Sequence, residues 1–195
     1  MIAVERYRSV AQAIEPPPVK LIMGLILSRE APLLAIRRQL EATYGRIDQE
    51  TVVLPFVATR FYEHEMGPAL QRLFWSFEGL IAADTLARIK HETNAIERTY
   101  ALAGEHGWRR QVNLDPGYVD LAKLVLATTK DRQHRLYVGR GIYAEVTLRF
   151  TKGLFVPWEW TYPDYRTPDY LAFFDAVRRR YRQQLTALLT ESHHV

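Results

Sequence analysis

Apolar runs of strand length alternate along the chain with segments of helical spacing. Residues 19–28, "VKLIMGLILS", form an unbroken apolar run and predict a strand buried on both faces. Leu33, Ile36, Leu40 and Tyr44 then recur at helical spacing, with Ser28 placed to open that helix and Gly45 to stop it. Residues 51–56, "TVVLPF", read as a second strand, and the aromatic run 72–81, "RLFWSFEGLI", as a third. Asp84 is a good N-cap for a long helix whose inner face carries Leu86, Ile89, Thr93, Ile96 and Tyr100, with Gly104 at its end. "RRQVNL" supplies the next strand, and the order β-α-β-β-α-β predicts a ferredoxin-like unit.

Pro116-Gly117 reads as a turn. After it, "KLVLATT", "HRLYVG" and "IYAEVTLRF" predict three strands of an antiparallel meander, and "GLFVP" a short edge strand stopped by Pro157. Residues 170–189 predict an amphipathic C-terminal helix, with Phe174, Val177, Tyr181, Leu185 and Leu188 inward and Arg178, Arg179, Arg180 and Arg182 outward. The fold class expected is α+β: one domain over residues 19–190, preceded by an extended lead-in, residues 1–18, that ends in three prolines.

Composition changes this picture little. The 195 residues suit one domain with a real core, and 48% hydrophobic with 25% charged residues is ordinary globular usage. The chain has no cysteine, which excludes disulfides, thiolate nucleophiles and cysteine-held zinc or iron–sulfur sites and fits a cytoplasmic protein. The N-terminus lacks the apolar core of a signal peptide, and no apolar run reaches the roughly 18 residues that span a bilayer. A net charge of +4 allows RNA binding without demanding it.

Four segments can carry chemistry. In Tyr62-Glu63-His64-Glu65, an extended backbone would put Glu63 and Glu65 on one side, able to hold Mg²⁺ or another hard cation; a solvated loop is the alternative. Lys90, Asn94 and Glu97 form one polar stripe on the long helix, suited to a phosphate or amide ligand or simply to water. On the strand "GIYAEVTLRF", alternation groups Ile142, Ala144, Val146, Leu148 and Phe150 on the core face and Tyr143, Glu145, Thr147 and Arg149 on the other, with Arg135 and Tyr137 of the neighbouring strand beside the second group. In "WEWTYPDYRTPDY", Asp164 and Tyr165 are plausible ligand contacts, while Trp158 and Trp160 suit a structural plug. No phosphate-binding loop, dinucleotide fingerprint or nucleophile elbow is present, and nothing points to haem, flavin, NAD or an iron–sulfur cluster.

Taken together, the blocks "KLIMGLILS", "YEHEMG", "SFEGLI", "IKHETNAIE", "VNLDPGYVDLAKLVLATTK", "HRLYVGRGIYAEVTLRF" and "WTYPDY" resemble the bacterial domain-of-unknown-function family numbered 4416, from about residue 19 to 182. Members of that family are sometimes labelled GTP-binding. The usual GTPase motifs are missing here, so the resemblance implies nucleotide binding only by a different mode.

These residues combine into one expectation: a polar pocket for a phosphate-bearing or nucleotide-like small molecule. Glu63, Glu65, Asp115 and Glu145 would hold a divalent cation such as Mg²⁺. His134, Glu145 and Asp115 would handle protons, and Lys90, Asn94, Asn113, Tyr118, Lys130, Arg135, Tyr143 and Thr147 would contact the ligand. The alternatives are an RNA-binding or ribosome-associated module using Tyr137, Tyr143 and the arginines at 178–182, and a partner-binding protein using the aromatics near Trp158. Oligomeric state has no signature in the sequence.

Overall fold

The computed structural model describes residues 13–104 and 107–192. The first twelve residues of the expected lead-in lie outside the described residues; residues 13–18 have no regular structure. The fold is α+β, and the described residues form four α-helices and one large antiparallel sheet of nine strands. In chain order the elements are β1 (Val19–Leu27), α1 (Leu33–Tyr44), β2 (Ile47–Glu50), β3 (Leu54–Pro55), α2 (Glu63–Met66), β4 (Gln71–Ile81) and α3 (Leu86–Thr99). They continue with β5 (Leu102–Gly104), β6 (Gly107–Arg109), β7 (Val112–Val119), β8 (Lys123–Thr128), β9 (Leu136–Gly139), β10 (Ile142–Thr151), β11 (Leu154–Pro157) and α4 (Pro168–Ser192). The main sheet runs β11-β10-β8-β7-β1-β4-β2, with β3 beside β4 and β9 beside β10; β5 and β6 form a separate hairpin.

Every residue of β1 is buried, because the strand is central and both sheet faces are covered. Leu21, Met23, Leu25 and Leu27 pack with Ile36 and Leu40 of α1 and Ile89 and Ile96 of α3. On the opposite face Ile22 and Phe74 pack with Tyr170, Phe173, Phe174 and Val177 of α4.

Several sequence expectations change. The strand expected at 51–56 shortens to the two residues of β3, and an unexpected strand, β2, uses the polar "IDQE", because at this edge Asp48 turns inward to bond Lys20 at 2.5 Å and Ser76 at 2.6 Å. Helix α1 starts at Leu33 after Pro32 rather than at Ser28, whose hydroxyl donates to Gln111 instead. The three-strand meander is not consecutive, since β8 and β9 flank β10 on opposite sides. In β10 a bulge at Thr147 reverses the alternation: Ala144 and Val146 pack toward α3, whereas Leu148 and Phe150 pack toward α4.

The Pro116-Gly117 pair is the largest change. It lies inside β7, and the turn is made at Asp120, whose carboxylate accepts from Ala122 and Lys123 N–H. β7 pairs with β1 along its whole length, from Val112 to Val119. Its pairing with β8 covers only Gly117, Tyr118 and Val119. The two backbones meet tightly at Gly117, where a Cβ would lie 2.3 Å from the Val125 carbonyl oxygen. Pro116 has no N–H to offer a ladder, and from it back toward Val112 the sheet is open.

Gly117→Ala must force these strands apart. The expected cost is roughly 1–3 kcal/mol in urea unfolding, and a loss below about 0.5 kcal/mol, the size of an ordinary surface substitution, would contradict the close approach.

Candidate functional site

The open stretch between β7 and β8 becomes a cleft of about 930 Å³. Leu114 shows how the gap is sealed. Its N–H donates to Glu97 Oε1 at 2.7 Å and its carbonyl accepts from Lys90 Nζ at 2.7 Å, both from α3. N–H and C=O of one strand residue point the same way, so these side chains take the place of the missing strand. Lys90 and Glu97 are therefore buried, and the polar stripe on α3 faces the sheet gap instead of solvent.

Asn113 and Asp115, two residues apart on β7, face the cleft with Arg72 of β4. Arg72 is fully enclosed. It donates to Asp115 Oδ2 at 3.1 Å and to the Tyr165 hydroxyl at 2.8 Å, and its Nε lies 3.3 Å from Asp164 Oδ2. The guanidinium stacks 4.4 Å above Phe74. Gly24 makes room for it, since a Cβ there would lie 3.0 Å from an Arg72 nitrogen. Lys90 Nζ stands 4.0 Å from Asp115, and Arg110 bridges Glu97 at 3.2 Å and Glu65 at 3.1 Å. The result is an alternating chain of charge from Asp164 through Arg72, Asp115, Lys90, Glu97 and Arg110 to Glu65.

Burial and charge act against each other along this chain. Burial alone would raise the Asp115 carboxyl, but Lys90 and Arg72 beside it hold it below the usual carboxylate range. Burial raises Asp164 more than Arg72 lowers it, and it raises Glu97 against the pull of Lys90, the Leu114 N–H and Arg110. Two carboxyls on the same guanidinium are thus displaced in opposite directions.

At the cleft's other wall Glu145 is buried and fixed. It accepts from Arg135 Nε at 2.7 Å and from Thr147 Oγ1 at 3.2 Å, and His134 Nε2 lies 3.4 Å away. Arg135 also donates to the Lys130 carbonyl at 2.9 Å and the Tyr162 hydroxyl at 2.8 Å. Glu145 is thus a structural anchor for this wall as well as part of its lining.

Of the residues expected from the sequence, Lys90, Asn94, Asn113, Asp115, Lys130, Arg135, Glu145 and Glu65 all line the cleft. The others lie elsewhere. Tyr118 packs with Leu86 and Val125 on the α3 face. Tyr143 meets Tyr137 edge to face at 5.5 Å. Thr147 is wholly buried behind Glu145. His134 is stacked on Trp160 at 5.2 Å, and Trp160 on Trp158 at 5.0 Å. Glu63 is exposed in α2, where a helical turn replaces the extended backbone that would have aligned it with Glu65. Among the described residues no group of three or more His, Cys, Asp or Glu side chains is arranged to hold a metal ion. Arg72 and Arg110 went unread. The only sign of Arg72 in the sequence is a charge inside the aromatic run "RLFWSF".

The arginines of α4 are largely engaged within the chain. Arg178 lies 3.4 Å above the Phe150 ring and donates to the Leu121 carbonyl, Arg179 pairs with Asp175, and Arg180 stands 3.7 Å from Asp48. Among the described residues no helix is long and apolar enough to cross a membrane.

A family model described as "Domain of unknown function (DUF4416)" matches residues 17–181, and the chain belongs to that family. No curated protein and no solved structure matches it.

The two aspartates give opposite pH signatures. Asp115, lowered in the fold, stabilises above its unfolded pKa and loses that contribution as pH falls through its folded one. Asp164, raised in the fold, contributes fully below its unfolded pKa and loses that contribution as pH rises through its folded one. Asp115→Asn is therefore most costly near neutrality and Asp164→Asn most costly in acid. Urea titrations between about pH 3 and pH 7 check this; parallel curves would contradict it.

Proposed function

We propose that this member of the family binds a phosphate-bearing, nucleotide-like small molecule in the gap between β7 and β8. One observation carries the reading: unpaired cations and exposed aromatic rings share a cleft of ligand size. The cleft's 930 Å³ lies at the upper end of the range for small-molecule sites. Seven cationic side chains line it against five carboxylates, an excess of two. Lys130 and Arg132 are exposed and have no acidic partner among the described residues; Lys130 Nζ rests 4.2 Å from the Phe61 ring centre. Both are free to take an anionic group, as phosphate oxygens are taken by Lys and Arg elsewhere. Phe61 and Trp108, 58% and 78% exposed, offer faces on which a base can stack.

The strand order β7-β1-β4-β2, with α1 and α3 in the crossovers, supports reading this half as a ferredoxin-like unit. The strands from β8 onward extend it, and α4 serves as its amphipathic C-terminal helix. On this reading the site lies at the seam between the unit and its extension.

Each carboxylate lining the cleft already has a cationic group within 4.0 Å. A divalent cation would therefore enter with the ligand's phosphates, and Mg²⁺ alone should produce no thermal shift. An RNA module based on α4 is less favoured, because three of its four clustered arginines are already held.

Titration calorimetry with ATP, GTP and inorganic tripolyphosphate, with and without Mg²⁺, tests the reading. Lys130→Ala combined with Arg132→Ala should weaken binding about tenfold or more, the effect of losing charge-assisted hydrogen bonds, with the melting temperature unchanged. No heat from any of the three, or equal affinity in the double variant, would overturn it.

A further inference from the structure

Seven buried side-chain nitrogen or oxygen atoms have no hydrogen-bond partner among the described residues. Three belong to side chains that line the cleft: Nδ2 of Asn113 and Nε of Arg72 and of Arg110. All three are donors. Buried polar atoms in folded proteins are almost always paired, so each unpaired donor asks for an explanation. The two guanidiniums have other strong bonds, to Asp115 and Tyr165 and to Glu97 and Glu65, and Arg72 Nε already stands 3.3 Å from Asp164 Oδ2, so neither asks for a ligand. Asn113 differs from them. It is 5% exposed, and its Nδ2, the atom by which it helps hold the neighbouring Asp115 ionised, has no other acceptor among the described residues. Asn94 of α3 lines the same cleft, and its side-chain amide makes no hydrogen bond among the described residues.

We propose that Asn113, assisted by Asn94, recognises the polar edge of a nucleobase-like heterocycle. This rests on the cleft binding a nucleotide-like ligand, and it adds which end goes where. An amide is planar and carries a donor and an acceptor side by side, so one Asn can pair with both a ring acceptor and a neighbouring N–H. Asn113 is buried in the wall, whereas Lys130 and Arg132 are exposed. The heterocycle therefore sits inward and the phosphates outward.

The test compares ATP, GTP, CTP and UTP with inorganic tripolyphosphate on the full chain by calorimetry. At least one nucleoside triphosphate should bind about tenfold or more tightly than tripolyphosphate, the value of one good bidentate contact. Asn113→Leu, similar in shape but without polar atoms, should erase that advantage and leave tripolyphosphate affinity unchanged. Asn94→Ala should reduce it in part, and serves if Asn113→Leu does not fold. A preference that survives both substitutions overturns the recognition role. So does wild-type protein that binds tripolyphosphate as tightly as every nucleotide, although phosphate binding then stands. Failure to bind any of the five probes removes both readings together.

Discussion

The molecule is organised around a ladder that stops. β7 has a complete partner in β1 but shares only three residue pairs with β8, because Gly117 brings the backbones together and Pro116 cannot continue the bonds. A sheet interior cannot leave peptide groups bare. Glu97 and Lys90 satisfy the Leu114 peptide from α3, and in doing so they carry charge into the middle of the fold. Arg72, Asp115, Arg110 and Asp164 then balance that charge. The cleft, its electrostatics and its buried helix face all follow from one interrupted pairing.

Such a network is a poor way to gain stability. Moving charges out of water costs several kcal/mol each, and well-packed apolar side chains of similar volume usually do as well or better. Arg72 could have been a methionine packed against Phe74, Tyr165 and Phe56, the rings that now surround its guanidinium. The charge chain opens onto the cleft proposed to take the ligand, and a network that adds little stability agrees with that proposal.

Much of the fold could be read from periodicity. The apolar run of β1, the spacing in α1 and α3 and the buried Phe174, Val177 and Tyr181 of α4 rest on apolar patterning alone, which a sequence displays directly, whereas Leu188, expected on the same inward face, is exposed. Polar elements hid better. β2 is a strand because Asp48 has Lys20 to meet, a contact 28 residues away that no local pattern signals. Pro116-Gly117 looked like a turn because turn chemistry and a ladder-breaking device use the same residues. The bulge at Thr147 exchanged the faces of β10 partway along, so strict alternation failed there. As for the site, Lys90, Asn94, Asn113, Asp115, Lys130, Arg135 and Glu145 were nameable as polar groups in otherwise ordered segments. Arg72 was not, because one charge within an aromatic strand acquires meaning only when its buried partners are known.

The central claim is that the gap beside β7 is the ligand site. Two-dimensional amide NMR during titration with a nucleoside triphosphate and Mg²⁺ tests it most directly. The account predicts that the largest shifts fall on residues 113–115 of β7 and on 128–132, from the last residue of β8 onward, with α4 from Arg178 to Arg182 unmoved. Shifts concentrated on α4, or spread without reference to the gap, would contradict it.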